Sequence, residues 1–149
     1  MLVIAKPRKA SALIECLWDE DPGVASRAAD ALERVSCHLP AILESWKAAL
    51  LGLLAEAAIK KVRWNLALIV PRLALTVPEC RRAADVLQSY LEDESSIVKT
   101  CSMQGLAELT RQDASLLPVV LDLLRIHGRS GTPAMRARGR ILLRRLKGK

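Results

Sequence analysis

Residues 62–73 read VRWNLALIVPRL, and three other stretches keep their spacing: VASRAADALERV at 24–35, VKTCSMQGLAEL at 98–109 and MRARGRILLRRL at 135–146. Each stretch places apolar residues at offsets 0, 8 and 11: Val24, Leu32, Val35; Val62, Val70, Leu73; Val98, Leu106, Leu109; Met135, Leu143, Leu146. At offset 4 stand Ala28, Leu66, Ser102 and Gly139. At about 3.6 residues per turn these offsets share one helix face, so each stretch reads as an amphipathic helix. The starts lie 38, 36 and 37 residues apart, and a leucine (Leu13, Leu51, Leu87, Leu124) sits 11 residues before each. A constant spacing of this size marks a repeat with two helices per copy.

Punctuation between the apolar runs agrees. Asp21-Pro22 and Thr132-Pro133 each put a capping side chain before a proline at the first helical position, and Thr76 followed by Glu79 has capping-box spacing. Ser95 or Ser96 caps the third copy. The expected helices are then 8–18, 22–37, 40–56, 58–75, 78–92, 95–111, 114–127 and 133–147. Pro71 falls inside the fourth, where its missing N–H predicts a kink. The architecture expected is all-α: a right-handed α-solenoid of four helix-turn-helix copies, eight helices in all, in a single domain over 1–149 (copies 8–38, 39–76, 77–112 and 113–149).

Bulk composition fits. At 149 residues a compact fold buries roughly 70% of its unfolded surface, enough for a core without staples. Apolar residues make up 51% and aromatics 3%, with no Phe, so Leu, Ala, Val and Ile must build that core, which favours close-packed helices over a sheet sandwich. Cys16, Cys37, Cys80 and Cys101 show no CxxC spacing and read as reduced thiols with packing roles. The opening MLVIAKPRKA has too short an apolar run for a signal peptide, and no stretch reaches the roughly 18 apolar residues of a membrane span. The expectation is a cytoplasmic chain with no membrane contact.

The charge is lopsided. Residues 1–122 carry all 16 acidic and 14 basic side chains, whereas 123–149 carry nine basic and no acidic ones. In the last helix Arg136, Arg140, Arg144 and Lys147 are spaced by 4, 4 and 3, which makes one stripe, with Arg138 and Arg145 on the opposite flank. Guanidinium groups in a row suit phosphates or carboxylates, since each can donate two parallel hydrogen bonds. A terminal repeat also needs a polar outer face, and cations suit a helix C-terminus, but neither need accounts for the missing acids. Trp64, two positions after Val62 and away from the core face, is the other candidate: with Arg63 and nearby Lys60, Lys61 and Arg72 it would suit a stacked base or a peptide anchor. Trp18 and Trp46 read as packing residues.

Paired helices of this length, the Asp-Pro turn and a second helix opening Val, basic, small, then Leu resemble HEAT-type repeats, including short bacterial arrays. The resemblance covers nearly the whole chain. It implies a solenoid whose second helices line a concave face, and a ladder of turn Asp and post-Val Arg residues. Arg63, Lys99 and Arg136 fit the basic column where the first copy has Ala25; Asp21 fits the acidic column where Ile59, Ser95 and Thr132 do not.

No Gly-rich phosphate loop, HExxH, GxSxG or clustered His, Cys and carboxylate spacing occurs, and His38 and His127 fall at helix ends. The expectation is a non-enzyme with no cofactor, metal or catalytic residue, acting as a scaffold for another protein, acidic where it meets the basic stripe. The alternative is nucleic-acid backbone binding through the same repeat. A third reading follows from the resemblance: alkylpurine DNA glycosylases are similar arrays with an aromatic and carboxylate cleft. Here Trp64 has no paired Asp on its own helix, because Asp30 and Glu33 belong to the neighbouring copy.

Overall fold

The computed structural model describes residues 7–148, with side chains from residue 9 onward, so the reading of the first six residues and of Lys149 lies outside it. The described residues are all-helical, with no strand. Clustering of contacts divides the chain into two compact units, Met1–Ala74 and Leu75–Lys149, close to the expected border between the second and third copies.

The first unit contains α1 (Pro7–Glu15), α2 (Pro22–His38), α3 (Lys47–Glu56) and α4 (Lys60–Ile69). Asp21 caps α2 by accepting from the Gly23 N–H at 2.8 Å, with Pro22 at the first helical position. A tight 3-10 turn, Cys16–Trp18, ends the first hairpin arm, and a longer one, Pro40–Trp46, opens the second. The expected helix over 40–56 is thus α-helical only in its second half, after Trp46 at φ −106°, ψ 11°. Pro71 does more than kink its helix. The α geometry ends at Ile69 and a 3-10 turn, Val70–Arg72, closes it, because proline offers no N–H and its ring crowds the carbonyl four residues back. The next segment is then fixed from the Pro40–Trp46 turn and the start of α3: the Ala74 N–H donates to Glu44 at 2.7 Å and the Ala74 carbonyl accepts from Lys47 Nζ at 3.0 Å.

The second unit contains α5 (Val77–Tyr90), α6 (Ser96–Leu109), α7 (Leu117–Ser130) and α8 (Pro133–Lys147). Its helix starts follow the sequence closely. Thr76 accepts from the Glu79 N–H while Glu79 accepts from the Thr76 N–H, a complete capping box. Ser95 caps α6 through the Val98 N–H, and Thr132 caps α8 through the Met135 N–H. Buried Asp113 holds the turn before α7 by accepting from the Ser115 N–H and hydroxyl at 3.1 and 2.6 Å.

In each unit a first helix packs on the second helix of its own copy, and the two second helices pack side by side: α2 on α4, and α6 on α8. The repeat columns are the cores of these contacts. Val62, Leu66, Val70 and Leu73 are buried in the first unit, and Val98, Ser102, Leu106 and Leu109 in the second, each leucine contributing roughly 1.5–3 kcal/mol by its removal from water. Leu51, Leu87 and Leu124 are buried as their register requires. The exceptions, Leu13, Val24 and Leu143, are half-buried and belong to the first and last copies.

Candidate functional site

Polar side chains cross between helices where second helices meet. On α2, Asp30 accepts from the Asn65 amide of α4 at 2.9 Å and pairs with Lys61 at 3.1 Å. One turn on, Glu33 pairs with Arg72 at 2.9 Å, and the same guanidinium nitrogen reaches the Glu33 carbonyl and the Ser36 hydroxyl. Burial resists ionisation of both carboxyls. It is outweighed at Asp30 by Asn65, Lys61 and Arg34, and at Glu33 by the Cys37 thiol, Arg72 and Arg34, so both titrate below their ordinary values. Cys37 is exposed as a residue rather than packed; its thiol donates to Glu33 at 3.0 Å, and partial desolvation together with that carboxylate pushes the thiol up.

The same columns recur between α6 and α8. Asn65 and Arg138 each stand three residues after their copy's start and reach Asp30 and Gln104, each six after the preceding start. Arg72 and Arg145, ten after, reach Glu33 and Glu108, nine and ten after. The second seam is looser, at 3.4 Å for Arg138 to Gln104 and 3.7 Å for Arg145 to Glu108. Sequence reasoning sought a ladder in the turn column and missed this one. The signal that would have found it is the recurrence of an acid or amide at offsets 6 and 9–10 opposite a cation or amide at 3 and 10 of the next copy.

Arg138 and Arg145 therefore face α6, and the stripe of Arg136, Arg140, Arg144 and Lys147 lies on the other flank of α8, exposed throughout. Arg136 donates to the Gly131 carbonyl at 3.2 Å, which ties the top of the stripe to the turn. Arg140, Arg144 and Lys147 meet no carboxylate among the described residues. Beside them α7 and α8 come together backbone to backbone. A Cβ built on Gly139 would lie 3.1 Å from Gly128 Cα and 3.3 Å from Met103 Cε, so a side chain there would press the helices apart by a few tenths of an ångström. At that crossing a cleft of about 230 Å³ is lined by Arg125 and Arg129 of α7 and by Arg140 and Lys147 of α8. Of these four, Arg125 alone has an acid at hand among the described residues, Asp122 at 3.0 Å.

Arg63 and Trp64 sit on α4 in the other unit, both half-buried. The cations expected to surround Trp64 are partly committed elsewhere, Lys61 to Asp30 and Arg72 to Glu33. Trp18 departs from its expected packing role: it is 50% exposed and with Leu17, Leu53 and Val62 borders an apolar cleft of about 280 Å³. It is the last residue of the 3-10 turn that ends its helix, where Leu17 rather than Trp18 is buried. Among the described residues no group of three His, Cys, Asp or Glu side chains is gathered to hold a metal, and no helix is long and apolar enough to cross a membrane. No family model matches the chain, and neither a curated protein nor a solved structure matches it.

Proposed function

We propose that this chain is a non-enzymatic HEAT-like repeat module, its four copies stacked as a right-handed α-solenoid, that binds an acidic partner protein in the cytoplasm. The observation that carries the reading is the α8 stripe: Arg136, Arg140, Arg144 and Lys147 are exposed on one flank, and the last three have no carboxylate to neutralise them among the described residues. Cations left unpaired in a row repel one another, so an anionic surface laid along them lowers the free energy, steers association and weakens as salt screens it. Rows of arginine also match carboxylates geometrically, which a solvated end face does not need.

The test is capture of partners from nuclease-treated native lysate by the full chain, compared with a variant carrying Arg136→Ala, Arg140→Ala and Arg144→Ala. The reading expects acidic proteins cross-linked to the wild type and lost from the variant; recovery of nucleic acid alone from an untreated lysate sinks it.

The second reading, a nucleic-acid backbone on the same stripe, draws support from the three arginines separated by single helical turns along α8. Labelled duplex and single-stranded DNA, followed by fluorescence anisotropy at two salt concentrations, would show binding that collapses with salt if this reading holds. The glycosylase reading draws no support from Asp30 and Glu33, which are tied into the α2–α4 seam.

A further inference from the structure

We propose that the cleft between α7 and α8 is a binding site for a phosphomonoester dianion, carried by a phosphorylated side chain of the partner; this deepens the reading of the α8 stripe and rests on it. Gly128 and Gly139 meet where α7 and α8 cross: a Cβ on Gly139 would lie 3.1 Å from the Gly128 Cα, one on Gly128 3.6 Å from the Gly139 Cα, and both glycines line the cleft beside the crossing. The cleft is about 230 Å³, room for one compact anionic group rather than for a chain. Both walls are cationic: Arg125 and Arg129 on α7, Arg140 and Lys147 on α8.

Charge counting then selects the ligand. Asp122 answers Arg125 at 3.0 Å, which leaves Arg129, Arg140 and Lys147 without a counter-charge among the described residues. A carboxylate or a phosphodiester brings one negative charge to these three. A phosphomonoester brings about 1.5 to 2 at neutral pH, with three strong acceptor oxygens. Two guanidinium forks and one ammonium supply donors in the number those oxygens accept. Arg136 and Arg144 do not line the cleft, so the site and the remainder of the stripe can be tested apart.

The probes are phenyl phosphate, a monoester, and diphenyl phosphate, a diester, titrated by calorimetry and by NMR of the arginine Nε–Hε groups in the full chain at pH 7.5 and low salt. A serine-phosphorylated short peptide and inorganic phosphate are added as further arms. The expected result is a monoester preference of about tenfold over the diester, reflecting the extra charge. The Arg129→Ala, Arg140→Ala double variant should lose about tenfold or more in affinity. The Arg136→Ala, Arg144→Ala variant should keep it within about twofold, and both should retain wild-type thermal midpoints because all four side chains are exposed. A phosphopeptide that binds at least as tightly as inorganic phosphate supports the side-chain source; a clear preference for the free ion overturns it. Equal binding of monoester and diester, or no saturable binding, overturns the site. If the cleft fails in this way while salt-sensitive protein capture still depends on Arg136 and Arg144, the stripe reading stands alone.

Discussion

The α2–α4 and α6–α8 pairs are built on the same columns and dispose of charge in opposite ways. In the first unit Lys61 and Arg72 are turned inward onto Asp30 and Glu33, at 3.1 and 2.9 Å. In the second, the corresponding seam offers only Gln104 and Glu108, the contacts stretch to 3.4 and 3.7 Å, and the remaining cations of α8 stand on its open flank. One repeat frame thus uses basic residues as mortar in one place and as a presented surface in another. What decides is the supply of acids on the preceding helix and the side of the helix on which the cations fall.

The largest effects should come from the cores that both units share. Leu51→Ala and Leu87→Ala should each cost about 2–5 kcal/mol in chemical denaturation, since both leucines are buried in close-packed helix contacts. Equal small losses would break the shared register. Next in size, Gly131→Ala should cost about 1–3 kcal/mol, because its Cβ would lie 2.6 Å from the His127 carbonyl oxygen and 2.7 Å from Met135. Its thermal midpoint, set beside that of a Gly52→Ala variant with nothing within 4 Å, separates crowding from helix propensity.

The seams themselves should differ by a smaller amount. A double-mutant cycle on Glu33 and Arg72 should give a coupling of about 1 kcal/mol, and the cycle on Glu108 and Arg145 less than about 0.5, as the longer and more exposed pair. Their pH dependence follows from the same contacts. Asp30 and Glu33 titrate below their ordinary values of 3.8 and 4.5, so their contribution is complete above those values and is lost as pH falls through the lowered ones. Glu33→Gln should flatten the acid limb of the stability curve in urea titrations; an unchanged limb would show that the seam is not coupled to folding. Smallest of all, Arg144→Ala should leave stability within about 0.5 kcal/mol.

Much of the fold was legible because helix periodicity and capping are local. The Asp21, Thr76, Ser95 and Thr132 caps depend on residues within one turn, the buried columns on residues within about three turns of one helix, and the 36–38-residue spacing is that local pattern recurring. What the sequence hid depends on partners far along the chain. The seam joins side chains 31 to 39 residues apart, so its cations look free until the helices are set side by side. The cleft lies where Gly128 and Gly139 meet, 11 residues apart on two helices, which neither glycine announces alone. Pro71 and the turn over Cys16–Trp18 differ from the expected helices for a local reason: a helix that ends early in a 3-10 turn leaves the same apolar spacing as one that continues.

The contrast between spent and presented cations is most directly tested by anisotropy of a labelled poly-glutamate peptide at low and high salt. Two variants are compared: Arg136→Ala with Arg140→Ala and Arg144→Ala, and Lys61→Ala with Arg72→Ala. The account predicts salt-sensitive binding that the triple change abolishes and the double change preserves, with the stability loss reversed between them. Equal loss of binding in both variants, or binding indifferent to the triple change, would contradict it.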